Sequence, residues 1–113
     1  MARFTQFVAA ILVNLFIAAC SASVGDCPPD SMATQTQGHG VVAQRCFGCH
    51  STPIKGPARQ NAPENLNFDQ LDTVREWTGE IFGEAEGGSM PPEMPLPAEE
   101  VELLRVWLAC GAN

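Results

Sequence analysis

The sequence has few basic residues. Six Lys and Arg stand against 13 Asp and Glu, which gives the 113-residue chain a net charge of −7 at pH 7. A nucleic-acid-binding domain displays a basic patch or stripe, so this balance argues against that class. An acidic surface suits encounter with a basic protein partner instead. The length predicts a single domain.

The sequence also lacks a long uninterrupted apolar run. The most apolar stretch, VAAILVNLFIAAC, covers residues 8–20 and contains an asparagine, whereas a membrane span needs about 20 apolar residues. With Arg3 before it, this stretch predicts a secretory signal peptide over residues 1–19. Residues 17–20 resemble the lipobox of bacterial lipoproteins, and that resemblance implies cleavage before Cys20 and a lipid on its sulfur. A plain cleaved signal and an uncleaved anchor are the alternatives.

The cysteine count is odd, with five in the chain. A lipid on Cys20 leaves four, and a shared role for Cys46 and Cys49 leaves Cys27 and Cys110. Export permits disulfide formation, so we expect a disulfide between Cys27 and Cys110. Two unpaired thiols are the alternative.

The stretch QRCFGCHS, residues 44–51, contains the motif that carries chemistry. A structural zinc site needs four ligands, usually from two pairs, and no second pair exists. A redox dithiol normally opens a helix in a βαβ unit, and no strand pattern surrounds Cys46. The spacing of Cys46 and Cys49 matches the two vinyl groups of a haem, and His50 is then placed to bind the iron. The motif predicts one covalently attached haem c.

Helical periodicity dominates the rest of the chain, and no strands or repeats are evident. Apolar residues recur every three or four positions along residues 68–83, which predicts one helix there. A last helix is predicted from Pro97 to Gly111, with acidic residues in its first turn. A further helix is predicted before Cys46. We therefore expect an all-α fold.

Three segments together resemble the small monohaem class I-type cytochromes c. Gly38 and Val42 lie eight and four positions before Cys46, Gly88-Ser89-Met90-Pro91 precedes the last helix, and the chain closes with WLACGA. The resemblance implies three or more helices around one haem, with residues 38–113 as the cytochrome c domain. Residues 20–37, mostly small and polar, are expected to be a tether to the lipid. Gly38 would let the last helix cross closely, under Trp107 or Leu104. A helix-start or loop glycine is the alternative.

Four residues are candidates for the second iron ligand opposite His50. The resemblance favours Met90, because the family places its ligand in such a Gly-x-Met-Pro loop. Met94, His39 and Met32 are the alternatives.

The loop after His50 is rich in proline. In the family a loop carbonyl accepts a hydrogen bond from the histidine's free ring nitrogen, and we expect Pro57 or Pro63 to supply it. We expect Arg59 to be a solvated residue rather than a partner for a haem propionate.

These expectations define a function. The chain is predicted to transfer single electrons through a haem held by His50 and Met90, as a lipoprotein on the periplasmic side of a bacterial membrane, the outer one favoured. Its partners would be redox proteins with a basic docking patch and the membrane itself, with no nucleic acid, no small-molecule substrate and no enzymatic turnover. A small haem enzyme or a gas-sensing haem domain with an open sixth position is the alternative.

Overall fold

The computed structural model describes residues 22–113. The predicted signal peptide and the lipidation site Cys20 lie outside the described residues. Over the described part the chain is all-helical, with four α-helices and no strand: α1 Met32–Arg45, α2 Leu71–Glu76, α3 Thr78–Glu86 and α4 Ala98–Ala109. A 3₁₀ helix, Gly56–Arg59, lies in the long connection between α1 and α2. No helix in the described part is long and apolar enough to cross a membrane.

Helix α1 begins earlier than the expected domain boundary at residue 38. Ser31 precedes its first residue, and the Ser31 carbonyl accepts from the Gln35 amide at 2.8 Å. Ala22 and Val24 pack against the core, and Arg105 donates to the Val24 carbonyl at 2.8 Å. The described part of the expected tether therefore packs as part of the helical body.

The predicted helix over residues 68–83 is two helices. The break falls at Trp77, whose backbone (φ −105°, ψ 19°) ends α2 and precedes α3. The Thr78 hydroxyl donates to the Val74 carbonyl at 3.0 Å, and such bonding to the preceding turn competes with the helix's own hydrogen bonds. The apolar stripe nevertheless continues across the break, because Val74 and Ile81 are both buried in the core.

Helix α4 ends as its sequence predicts. Gly111 takes a left-handed conformation (φ +92°) that glycine adopts without strain. The Gly111 amide donates to the Leu108 carbonyl at 3.1 Å, and the Ala112 amide donates to the Trp107 carbonyl at 3.0 Å. This pair of bonds is the Schellman arrangement, which satisfies carbonyls that a helix end leaves without partners.

The core centres on the crossing of α1 and α4. Gly38 is buried at that crossing, within α1, where a Cβ atom would lie 2.7 Å from Trp107 Cβ and would also clash with the Leu103 carbonyl. The reading of Gly38 as a close-packing glycine is thus correct, and Trp107 rather than Leu104 is the side chain that packs over it. Four side chains of the core are almost completely buried: Val42, Val74, Leu104 and Trp107.

A disulfide joins Cys27 and Cys110, with the two Cα atoms 4.7 Å apart. It links the segment before α1 to the residue that caps α4. The bond closes a loop with a sequence separation of 83 residues.

The helix crossing generates a stability prediction with a matched control. Gly38→Ala should lower the free energy of unfolding by about 1–3 kcal/mol, because the added methyl group overpacks a backbone contact. Gly40→Ala, two positions along the same helix, should raise it by about 0.5–1 kcal/mol, because nothing lies within 4 Å of its Cβ position and alanine is the better helix former. Urea denaturation followed by circular dichroism measures both. Equal effects at the two positions would contradict the crossing.

The disulfide generates a second prediction. Replacing both Cys27 and Cys110 with Ser should lower the free energy of unfolding by about 2–5 kcal/mol, because the unfolded chain loses a long-loop constraint. Dithiothreitol applied to the wild-type protein should produce a loss of the same size, measured by urea denaturation. A loss below about 0.5 kcal/mol in both would mean that the bond does not constrain the unfolded chain.

Candidate functional site

The Cys46–His50 motif follows directly from the end of α1. The Cys46 amide donates to the Val42 carbonyl at 2.9 Å, and the His50 amide donates to the Cys46 carbonyl at 2.8 Å. These bonds continue the helical course into a tight turn. Cys46, Cys49 and His50 are therefore held on one short, hydrogen-bonded segment, and all three line the same cavity.

The cavity has a volume of about 610 Å³, within the range of about 300–1,000 Å³ that small-molecule and cofactor sites occupy. Five parts of the chain form its wall: the end of α1 with the motif, the loop after His50, Trp77 with α3, the loop before α4, and α4 itself through Leu104. The apolar part of the lining includes Leu66, Phe68, Ile81, Leu96 and Leu104.

The His50 ring is fixed on two sides. Its Nδ1 atom lies 3.1 Å from the Leu66 carbonyl oxygen, and because that oxygen only accepts, Nδ1 carries the proton. The ring stacks on Phe68, with centroids 4.5 Å apart and planes at 15°. Nε2 is then the nitrogen with a free lone pair, the form in which histidine binds metal ions.

The carbonyl partner of His50 is not one of the expected prolines. Leu66, and neither Pro57 nor Pro63, accepts from Nδ1, and the Phe68 amide donates to the His50 carbonyl at 2.8 Å. The loop after His50 is long, and only its last residues, near Leu66, return to the His50 ring. Nothing in the local sequence distinguishes the Leu66 carbonyl from its neighbours.

Burial lowers the pKa of the His50 imidazole. The bond to the Leu66 carbonyl acts in the opposite direction, and the nearby Arg59 guanidinium lowers the pKa further. The neutral ring is thereby favoured, which keeps Nε2 available as a ligand atom.

Arg59 is buried, contrary to the expectation of a solvated side chain. It is 3% exposed and donates only to backbone carbonyls and one side-chain amide oxygen in the loop around it. The sequence suggested a solvated side chain because the acceptors of Arg59 are mostly backbone atoms. No side-chain pattern indicates them.

Among the four candidates for a second ligand, Met90 is the one that lines the cavity. Met90 is 42% exposed, against 65% for Met94 and 72% for Met32. His39 stacks on Trp107, with ring centroids 5.0 Å apart, at the crossing of α1 and α4.

Met90 is held against the end of α3. Its amide donates to the Glu84 carbonyl at 3.2 Å, and the Ser89 amide donates to the same oxygen at 3.1 Å. Gly88 permits the turn with a left-handed backbone (φ +78°). The Gly-Ser-Met-Pro segment therefore bends back to place the thioether at the cavity.

Cys46 and Cys49 are free thiols in this structure, and both are partly buried. Burial raises the pKa of the Cys46 thiol to about 11, with a smaller contribution from Cys49. Catalysts of thiol–disulfide exchange have a depressed cysteine pKa, because the thiolate is the reactive species. The environment of Cys46 thus disfavours that chemistry.

No group of three or more His, Cys, Asp or Glu side chains within residues 22–113 is placed to hold a metal ion. A structural zinc site uses four such ligands. The donors at this cavity are two thiols, one imidazole, one thioether and the carboxylates of Glu80 and Glu84. Sulfur and imidazole groups suit soft metal centres, and an imidazole with a thioether suits haem iron.

No protein-family model, curated protein or solved structure matches this chain. The function is therefore inferred from the geometry and chemistry of the cavity.

Proposed function

We propose that this protein transfers single electrons through one covalently attached haem c. The observation that carries the proposal is that Cys46, Cys49, His50 and Met90, from two segments 40 residues apart in the sequence, line one cavity. The proposal includes a small cytochrome c-like arrangement of the four helices around that haem.

The cavity residues fit such a group. Cys46 and Cys49 are unpaired thiols beside the cavity and would form the two thioether bonds. His50 offers a fixed ring with Nε2 free, and Met90 offers a thioether. The apolar lining, with Phe68 and Leu104 among its members, suits the faces of a porphyrin.

When bound, the haem would supply a one-electron couple, and histidine–methionine ligation would raise its reduction potential. The chain's own residues do the rest. Leu66 orients His50, the hydrogen bonds to Glu84 hold Met90, and the apolar lining limits water in the cavity. With the His50 ring fixed and the Met90 backbone held at the cavity, the site is suited to carrying an electron rather than to turning over a substrate.

The charge distribution supports a basic redox partner. The segment from Glu76 to Leu104 contains no Lys or Arg and eight acidic residues: Glu76, Glu80, Glu84, Glu86, Glu93, Glu99, Glu100 and Glu102. Two of them, Glu80 and Glu84, lie at the cavity. Glu100 pairs with Arg45 and Glu102 with Arg105, and the other six have no ion pair in the described part of the chain. An excess of one sign speeds encounter with a partner of the other sign, most strongly at low salt.

The proposed location follows from the sequence of the first 20 residues. Export by a signal peptide over residues 1–19 and a lipid on Cys20 would place the domain on the periplasmic side of a bacterial membrane. That location also supplies the oxidising conditions in which the Cys27–Cys110 disulfide persists.

The attachment proposal predicts the behaviour of cysteine variants. In cells competent for haem attachment, wild-type protein should retain its haem absorbance after denaturation and acid–acetone extraction, whereas the Cys46→Ser/Cys49→Ser double variant should lose it. The control is Cys27→Ser/Cys110→Ser, which should retain the haem because its cysteines lie outside the cavity. Retention by the Cys46/Cys49 double variant would contradict covalent attachment at this motif.

The ligand proposal predicts a difference between two methionines. Met90→Ala should abolish the methionine–iron charge-transfer band and allow carbon monoxide to bind the ferrous protein rapidly, because the cavity then lacks its thioether. Met94→Ala should leave both spectra unchanged, since Met94 does not line the cavity. Rapid carbon monoxide binding by the wild-type protein would favour the haem enzyme or gas sensor instead.

A further inference from the structure

Arg59 is a buried cation without a carboxylate partner in the described part of the chain. The three ion pairs found there involve Arg45, Arg75 and Arg105. Arg59 is more buried than any of these three, at 3% exposure. Burying a charge is costly unless hydrogen bonds compensate for the lost water, so its partners must account for its position.

The guanidinium group of Arg59 has five N–H donors, and the loop uses all of them. Nε donates to the Ala62 carbonyl at 3.1 Å. Nη1 donates within 3.1 Å to the carbonyls of Ser51 and Ile54 and to Asn67 Oδ1. Nη2 donates within 3.3 Å to the carbonyls of Pro63 and Leu66. No donor remains for a propionate, so Arg59 has a role within the chain.

One of these acceptors connects Arg59 to the iron ligand. The Leu66 carbonyl oxygen accepts from Arg59 Nη2 at 3.3 Å and from His50 Nδ1 at 3.1 Å. A carbonyl that already accepts from a cation is a weaker acceptor for a second donor. The His50 ring consequently gains less electron density from this bond than it would from a lone carbonyl.

We propose that Arg59 is a positioning residue that fixes the Leu66 carbonyl against His50 and raises the reduction potential of the iron held by His50. The proposal depends on the proposed haem function. Both of its effects act in one direction: a buried positive charge disfavours the ferric state, and a weakened bond at Nδ1 makes the imidazole a poorer donor to ferric iron.

The test compares two substitutions that remove one positive charge from the same loop. Arg59→Met in the haem-loaded protein should shift the ferrous–ferric equilibrium about tenfold toward ferric, which corresponds to a midpoint potential lower by about 59 mV for a one-electron couple. Lys55→Met should shift it less than twofold, because Lys55 is exposed and its charge is screened. Equal shifts in the two variants would overturn the proposal.

Arg59→Lys separates charge from geometry and covers the case in which Arg59→Met does not fold. Lysine keeps the charge but has three donors and no planar fork. The ferrous–ferric equilibrium constant should therefore stay within about threefold of the wild-type value. The electron paramagnetic resonance g values of the ferric protein should change, because the His50 ring reorients. Unchanged g values with Arg59→Lys would overturn the positioning role.

Proton exchange in the wild-type protein supplies a readout that requires no variant and no redox activity. The Arg59 guanidinium N–H resonances should exchange with solvent at least tenfold more slowly than those of exposed Arg75, which also donates to backbone carbonyls. Exchange as fast as that of Arg75 would overturn the Arg59 proposal and leave the haem proposal intact. A protein without haem would overturn the proposed function and the effect on potential, while slow exchange would still support the loop role.

Discussion

The close antiparallel contact of α1 and α4 is the constraint on which the rest of the structure depends. It is fixed at three places along its length. The Cys27–Cys110 disulfide lies at one end, Gly38 lies under Trp107 in the middle, and Arg45 at the end of α1 pairs with Glu100 in the first turn of α4 at 2.9 Å. Because α1 continues directly into Cys46, this contact also determines where the two thiols and His50 lie relative to α4 and the cavity wall.

The loop between His50 and Phe68 is ordered by hydrogen bonds rather than by apolar packing. It is long, rich in proline and has little apolar material, so a hydrophobic core cannot order it. The buried Arg59 guanidinium orders it instead, by donating to five of its backbone carbonyls, of which those of Ser51 and Pro63 also accept from backbone amides. The consequence reaches the site, since one of those carbonyls also orients His50. The apolar contact between α1 and α4 and the hydrogen bonds of the loop thus both determine the position of the His50 imidazole.

Much of the fold could be predicted from the sequence. The apolar periodicity indicated the helical class, and Gly111 marked the end of α4. Gly38 could be read either as a close-packing glycine or as a loop glycine, because its neighbour across the crossing comes from α4 and is not visible locally. The break at Trp77 escaped the periodicity because the stripe from Val74 to Ile81 continues through it. The bond from the Thr78 hydroxyl to the Val74 carbonyl lies beside the break, and apolar spacing does not report it.

The site was predictable wherever side-chain chemistry defines it and not where backbone atoms do. The Cys46–His50 motif is recognisable from the spacing of its residues. The Gly-Ser-Met-Pro pattern indicated Met90, which lines the cavity. By contrast, the Leu66 carbonyl and the burial of Arg59 depend on the path of the whole loop, and a carbonyl has no sequence signature.

The central claim is that the cavity holds a porphyrin joined by covalent bonds to Cys46 and Cys49. The intact mass of the exported wild-type protein under denaturing conditions tests it most directly. We expect the polypeptide's mass to exceed by one haem the mass that N-terminal processing and the disulfide explain, and we expect a visible spectrum that survives denaturation. A colourless protein whose mass is accounted for by the chain, its lipid and its disulfide alone would contradict it.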